Sequence, residues 1–490
     1  MDIKDLTIKT FHEGLVGKKF SATEVAEGFF GVIGEKDNDI HAYLRLTKER
    51  ALSEAKRVDQ DIADGREVGV LAGVPCAIKD NMLVKGEVAT AGSKILEGYR
   101  ASYDATVVSK LKGAHAAFLG ATNMDEFGMG SSTENSAFGP TKNPHDLTRV
   151  PGGTSGGSAA AVASGMAVVA LGTDTGGSVR QPASFCGVVG LRPTYGAVSR
   201  SGVVALASSL DQIGPITKTV HDAAILFDAI RGEDDCDATS ARRAYDDDIT
   251  TVDTDEIKKL TIGLPKEYFI DGVDSYVRRE VDTAIARLKK LGFKFKEVSL
   301  PHTEYALSSY YIILPAEAST NLARFDGIRY ARIDNASDMR MHANTSVLEE
   351  IYFQQKGLGF GAEPRRRVLL GTFVLSHGYY DAYYARAQKV RQLVRDDFEK
   401  VFDEVDVLLT PVAPTPAFKL GEYTSDPLQM YLGDVFTIPT SLAGLPGISV
   451  PVCDYPLDGD DLPVGFQLIG KRFRERDILG VGRVYEESFV

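Results

Sequence analysis

Two clusters of glycine and hydroxyl residues carry the residue types that can do chemistry in this chain. They are Gly152-Gly153-Thr154-Ser155-Gly156-Gly157-Ser158 and Asp174-Thr175-Gly176-Gly177-Ser178. Glycine has no Cβ, so hydroxyls set among glycines let backbone approach a ligand closely. A flexible linker is the plain alternative, but the apolar residues 159–163, 168–171 and 188–191 that flank the clusters belong in a core, not a linker. Three chemistries compete. A phosphate cradle needs a GxxxxGK[ST] or GxGxxG pattern, and neither is present. A nucleophile elbow, G-x-S-x-G, is matched by Gly153 to Gly157, but Arg149-Val150-Pro151 before it makes a poor strand. The three histidines in the last half of the chain, His302, His342 and His377, sit in no glycine-rich or turn context. The third is a serine nucleophile served by lysine. Lys79 follows the apolar run 74–78, and a lysine delivered from a buried strand loses its proton readily. Ser178 follows Thr175-Gly176-Gly177, whose N–H groups suit an oxyanion hole, and Thr154 is placed to relay a proton between the two.

The elements that must position these groups read as alternating strands and helices. Ser21 to Glu24 has capping-box spacing and opens a helix over 22–34. Residues 42–46 alternate as a strand, a charged helix covers 48–63, and a buried strand begins at 71 and ends polar at 81. Asp104 is placed to cap a helix bearing Val107, Val108 and Leu111, and 116–121 reads as the next strand. The first glycine cluster leads into a helix. Thr219 and Asp222 open another helix that Gly232 ends, and 233–254 reads as an acidic surface excursion. Strands at 260–264, 293–298, 405–409 and 464–469, with helices ending at 291 and over 308–329 and 377–404, complete the pattern. Residues 330–360 follow no clear period. This alternation predicts an α/β fold with one large sheet covered on both faces.

Composition narrows the function. The chain has 490 residues, 43% hydrophobic and 25% charged, ordinary for a globular protein. A formal charge of −13 argues against autonomous nucleic-acid binding, so any nucleic-acid substrate is expected to be gripped by a partner. No run of 18 apolar residues and no secretory leader are apparent, which predicts a cytoplasmic chain with no membrane segment. Cys76, Cys186, Cys236 and Cys453 form no CxxC pair, so reduced thiols and no metal site are expected.

At these residues the chain resembles the amidase signature family, through GGTSGGSAAAVASG and GTDTGGSVRQPASFCGVVGLRPT, and through GVPCAIKDN around Lys79. Within that family the likeness is to the glutaminase-subunit branch of heterotrimeric glutamyl-tRNA(Gln)/aspartyl-tRNA(Asn) amidotransferases. It runs over nearly the whole length, with stretches at 121–144, 208–217, 318–330, 365–384 and 439–451. The resemblance implies a single amidase domain over 1–490, with its core signature at about 70–220, a mostly parallel mixed sheet, and a partner-facing helical layer at about 305–385. It implies a Ser–cisSer–Lys triad, with Ser178 as the acylated nucleophile and Lys79 as the base. The bridging position falls on Thr154, where the family has serine. Threonine keeps the hydroxyl and restricts χ1, and Ser155 is the competing bridge. Thr175, Gly176 and Gly177 match the oxyanion hole. Arg367 matches the carboxylate-binding arginine of a glutamine site, Asp434 its ammonium-binding aspartate and Tyr310 a contact tyrosine, and Met129 lines the pocket or packs the core. The family's complex uses ATP and magnesium through a partner B subunit, which receives ammonia and acts on misacylated tRNA. A small C subunit clamps the two, and no cofactor is expected in this chain. The other readings are a general small-amide amidase and a non-catalytic assembly subunit.

Overall fold

The computed structural model describes residues 3–243, 245, 248–330, 346–424, 426–453 and 461–489. Eleven strands form one sheet: β1 (Tyr43–Leu46), β2 (Pro75–Lys79), β3 (Ala117–Thr122), β4 (Val169–Asp174), β5 (Val189–Arg192), β6 (Gln212–Thr217), β7 (Thr261–Pro265), β8 (Lys294–Val298), β9 (Val407–Pro411), β10 (Gly447–Pro451) and β11 (Gly465–Gly470). Their order across the sheet is β1-β3-β2-β4-β6-β5-β10-β11-β9-β7-β8. Interior strands such as β2, β4, β6, β9 and β11 are buried along their whole length, as a strand covered on both faces must be. Edge strand β8 alternates toward solvent.

The expected α/β sheet is present, and its strands are mixed in direction. It is not mostly parallel: β1–β3, β4–β6, β5–β6, β5–β10, β10–β11 and β9–β11 are antiparallel. Parallel pairs β2–β3, β2–β4, β7–β8 and β7–β9 lie toward the two ends. The reason is connection. Helices Thr106–Gly113 and Ser275–Lys290 carry the chain from β2 to β3 and from β7 to β8, and such crossovers give parallel neighbours. β6 enters between β4 and β5 and runs against both.

Local signals placed most elements. Ser21 caps Ala22–Ile40 with a full capping box, and Thr219 caps Val220–Ile230. Asp104 does not cap Thr106–Gly113. The N-cap residue is Ala105, and the Asp104 carboxylate accepts from the Lys85 N–H and Lys112 Nζ instead. The segment without clear period contains helix Val347–Gly359, while 331–345, with His342, lie outside the described residues. No described helix is long and apolar enough to cross a membrane, and no described group of His, Cys, Asp and Glu could hold a metal ion.

One buried carboxylate ties the middle of the sheet. Asp174, at the end of β4, accepts from Arg180 Nε (3.0 Å) and Nη2 (2.9 Å) and from Arg192 Nη1 (3.0 Å), all fully buried. Arg180 also donates to Gln467 on β11, and to Thr437 O and the Ser441 hydroxyl. Asp174→Asn would leave two buried guanidiniums without a counter-charge. We expect it to lower unfolding free energy by about 3–5 kcal/mol, read from urea denaturation at neutral pH.

Candidate functional site

Both glycine-hydroxyl clusters meet at the end of the β2–β4 pair. The second is the turn between β4 and helix Arg180–Cys186, and the first precedes helix Gly156–Ala163. The Ser155 N–H donates to Ser178 O (3.1 Å), which joins them. The last residue of β2 is Lys79, fully buried, with Nζ 2.7 Å from Thr154 Oγ1 and 2.8 Å from Ser155 Oγ. The Gly153–Thr154 peptide is cis. Ser155 is tied back to β4, donating to Thr173 O (3.2 Å) and accepting from the Thr173 N–H (3.3 Å). Thr154 Oγ1 has Lys79 as its one hydrogen-bond partner among the described residues. Ser178 is 9% exposed against 1% for Thr154 and 0% for Lys79, so the hydroxyls step outward from the lysine.

Close packing explains the glycines. A Cβ on Gly153 would overlap Asp125 and the backbone of Ser131 and Ser132, and one on Gly152 would meet Gln181 and Pro182. The Gln181 side chain accepts from the Gly153 N–H (2.8 Å) and donates to Ser131 O (3.0 Å). Thr133 Oγ1 donates to Gly152 O (2.8 Å) and accepts from the Gly156 N–H (3.1 Å). At Gly177, with φ +149°, a side chain would run into Thr437, whose hydroxyl donates to Gly176 O (2.6 Å). The N–H groups of Thr175, Gly176 and Gly177 donate to no acceptor among the described residues. They are available to a ligand oxygen.

Charge sets the protonation of this site. Burial lowers the Lys79 ammonium to about 7, against the pull of Asp125, Asp174 and Asp211. Burial raises Asp125 to about 6, although the N–H groups of Asn135 and Thr133 hold its carboxylate. Burial also acts on Asp174, but Arg180 and Arg192 outweigh it and keep that carboxyl well below the usual range.

The other expected residues come from the C-terminal half. Arg367 lies on helix Ala362–Leu375 and is buried, while Arg365 and Arg366 are exposed. Its Nε donates to Glu363 Oε1 (2.7 Å), and its guanidinium lies 5.4 Å from the Tyr311 ring and 5.3 Å from that of Tyr431. Its terminal nitrogens have no acceptor among the described residues. Asp434 accepts from the Ser131 hydroxyl (3.0 Å), and burial raises its carboxyl to about 7. Tyr310 is buried with its hydroxyl against Gly176, where a Cβ would collide with it. Met129 is fully buried and belongs to the same hydrophobic cluster as Leu210 and Tyr310. Sequence reasoning did not single out Asp125, Ser131, Thr133, Gln181, Glu363, Tyr311, Tyr431 or Thr437. The first three lie in the 121–144 stretch, which marked the region without assigning a role to any side chain.

Lysine deprotonation can be read from stability. Folding lowers the Lys79 pKa, so between about pH 7 and the ordinary lysine value the unfolded chain binds more protons and stability rises with pH. Lys79→Met removes that cost. It should stabilise the fold most near pH 7 and progressively less toward pH 10, measured by chemical denaturation across that window. A gap that stays constant with pH would mean Lys79 remains charged.

The family model described as Amidase matches residues 24–479. The A subunit of glutamyl-tRNA(Gln) amidotransferase from Carboxydothermus hydrogenoformans is 57% identical over 489 residues, covering 100% of this chain and 98% of that protein. The protein of the same name from Koribacter versatilis is 52% identical, covering 100% and 99%. The crystal structure of the A subunit of glutamyl-tRNA(Gln) amidotransferase from Thermotoga maritima superposes with a TM-score of 0.79 at 42% identity, over 99% and 95% of the two chains. A 6-aminohexanoate cyclic dimer hydrolase superposes at 0.82 with 25% identity, over 100% and 98%.

Proposed function

The chain belongs to the amidase family, and on that premise we propose that it is the glutamine-hydrolysing subunit of a tRNA-dependent amidotransferase. The observation that carries the chemistry is a buried lysine with a pKa near neutrality, 2.7 Å from a hydroxyl that has no other partner among the described residues. In this reading neutral Lys79 accepts the Thr154 proton as Thr154 takes that of Ser178. The Ser178 oxygen attacks the side-chain amide carbon of glutamine. The carbonyl oxygen becomes an oxyanion held by the N–H groups of Thr175, Gly176 and Gly177. The proton returns to the leaving nitrogen, ammonia departs, and water hydrolyses the glutamyl ester. Arg367 offers its terminal nitrogens to the α-carboxylate, and Asp434 with Ser131 receives the α-ammonium.

The proposed partners are the B and C subunits of a heterotrimer. The B subunit takes the ammonia, uses ATP and magnesium, and handles the misacylated tRNA. Leu348, Phe353, Leu358, Leu369, Leu370 and Phe373 are exposed on the helices Val347–Gly359 and Ala362–Leu375, Phe353 by 62% and Leu369 by 72%. Apolar exposure concentrated on two adjacent helices supports a docking layer. Leu369→Asp with Phe373→Asp should reduce recovery of the assembled complex at least tenfold on size exclusion, while the isolated chain keeps its melting temperature.

Glutaminase assays test the triad. Ser178→Ala should lower turnover by at least about a thousandfold. It should leave ammonia-supported amidation by the complex intact, whereas a non-catalytic role predicts no loss of glutamine-dependent activity. Thr154→Ala should cost about 10²–10⁴-fold, Thr154→Ser little, and Ser155→Ala less than Thr154→Ala. A larger loss in Ser155→Ala than in Thr154→Ala would move the bridge to Ser155. A general small-amide amidase shares Lys79, Thr154 and Ser178 but has no need of Arg367 and Asp434. Unchanged glutamine turnover in Arg367→Met/Asp434→Asn would favour it.

The pH profile separates the two titrating groups. In the free enzyme both Lys79 and Asp434 must be unprotonated, and each titrates at about 7. Once glutamine is bound, its ammonium keeps Asp434 ionised. The acid limb of kcat/KM should therefore show two protons and that of kcat one, both near pH 7. Asp434→Asn should reduce the kcat/KM limb to one.

A further inference from the structure

Away from the triad, three arginines converge on a cavity of about 210 Å³. Arg391 and Arg395 come from helix Tyr384–Val401 and Arg472 from the loop after β11, with Tyr195, Gln388 and Gln392 in the same wall. Arg391 is built into the fold. Its Nε donates to Leu442 O (2.8 Å), its Nη1 to the Ser209 hydroxyl (2.8 Å) and its Nη2 to Ser209 O (2.9 Å). Arg395 and Arg472 are different. Neither makes a hydrogen bond or an ion pair among the described residues, where buried Arg395 Nε has no hydrogen-bond partner and the Arg472 guanidinium lies 5.6 Å from the Phe473 ring.

Nearby carboxylates do not neutralise the cluster. Glu317 is committed to the Ser209 N–H (2.9 Å) and hydroxyl (2.6 Å), and Glu399 is exposed. After burial, the charge acting most strongly on Arg391 is Arg395, ahead of Glu317. For Arg472 it is again Arg395, ahead of Glu399. At both neighbours the strongest single charge effect is therefore repulsive. The chain carries 68 acidic against 55 basic side chains, so no shortage of carboxylates explains three clustered guanidiniums with so little opposite charge. Arg391 and Arg395 are half-buried and Arg472 is exposed at the rim, and a like-charge cluster of this kind is stabilised when an anion enters the cavity. Planar guanidinium forks and side-chain amides are donors that suit tetrahedral oxyanions.

We propose that this cavity binds a phosphate dianion, free or as the headgroup of a small phosphomonoester, between Arg395 and Arg472 with Gln388 and Gln392 beside it. Arg391 holds the floor. The site shares no residue with Lys79, Thr154, Ser178 or Arg367 and does not depend on the glutaminase reading. Isothermal titration of the full chain with inorganic phosphate and, separately, with glycerol 1-phosphate tests it, with chloride as the control anion. Saturable binding is expected to one or both. The tighter ligand identifies the source, and either preference supports the site.

Arg395→Gln and Arg472→Gln should each weaken binding at least about tenfold, whereas Arg367→Met should leave it unchanged. Arg395→Gln removes the central like charge, so in phosphate-free buffer it should melt no lower than wild type. That result separates lost binding from lost folding. The proposal is overturned if neither probe shows saturable binding at millimolar concentration, if binding survives both glutamine substitutions, or if Arg367→Met abolishes it.

Discussion

The structure depends on the neutralisation of two buried guanidiniums by one carboxylate. Asp174 ends β4 one residue before the Thr175-Gly176-Gly177-Ser178 turn, and it holds Arg192 from β5 and Arg180 from the helix that follows. Through Arg180 the same charge reaches Gln467 on β11 and the backbone of Thr437. Thr437 in turn donates to Gly176 O and fills the space that a Cβ on Gly177 would need. A turn of small residues has little conformational preference of its own. Its shape here is imposed by an ion network that spans the antiparallel middle of the sheet. Buried charges contribute little net stability when paired and cost several kcal/mol when unpaired. The network is therefore a device for position rather than for strength.

The same economy of charge governs Lys79. Three aspartates surround it, and three carboxylates beside one ammonium would ordinarily keep it protonated. Each is committed elsewhere. Asp125 accepts from the N–H groups of Thr133 and Asn135, Asp174 from two arginines, and Asp211 from the N–H groups of Leu206 and Ala207 and from the Thr175 hydroxyl. Burial then outweighs their combined pull and brings the lysine to about 7. The carboxylates that keep Lys79 from a far lower value also fix the loop over Gly153 and the oxyanion turn. Proton affinity and geometry are thus set by one group of side chains.

Much of this was legible in the sequence because it is local. Capping at Ser21 and Thr219, the buried run into Lys79 and the glycine clusters each show within a few residues. Strand direction did not show. β6 enters between β4 and β5 against both, and its sequence QIGPIT reads alike in either direction. Asp104 failed as a cap because Lys85 and Lys112, brought near by tertiary structure, take its carboxylate. In the site, hydroxyls and glycines announced themselves by spacing. Gln181 and Thr133 did not, because they hold backbone 19 to 50 residues away in sequence, and Ser131 did not, because its hydroxyl meets Asp434 from the far end of the chain. That Arg367 alone of its run of three is buried is a property of the packed helix and not of the arginines.

The threonine at position 154 answers to the same geometric demands. A bridging hydroxyl must face the lysine on one side and the nucleophile on the other, and serine can leave that orientation for any of three rotamers. Threonine's branched Cβ restricts χ1, so fewer alternatives compete with the one seen here, 2.7 Å from Lys79 Nζ. Ser155 already has Thr173 on both its donor and acceptor sides, so its hydroxyl supports the lysine from the sheet. The division of labour follows from those partners. The Ser155 hydroxyl is held by β4 as well as by Lys79, and the Thr154 hydroxyl has the lysine as its one partner among the described residues, which suits the proposed bridging role.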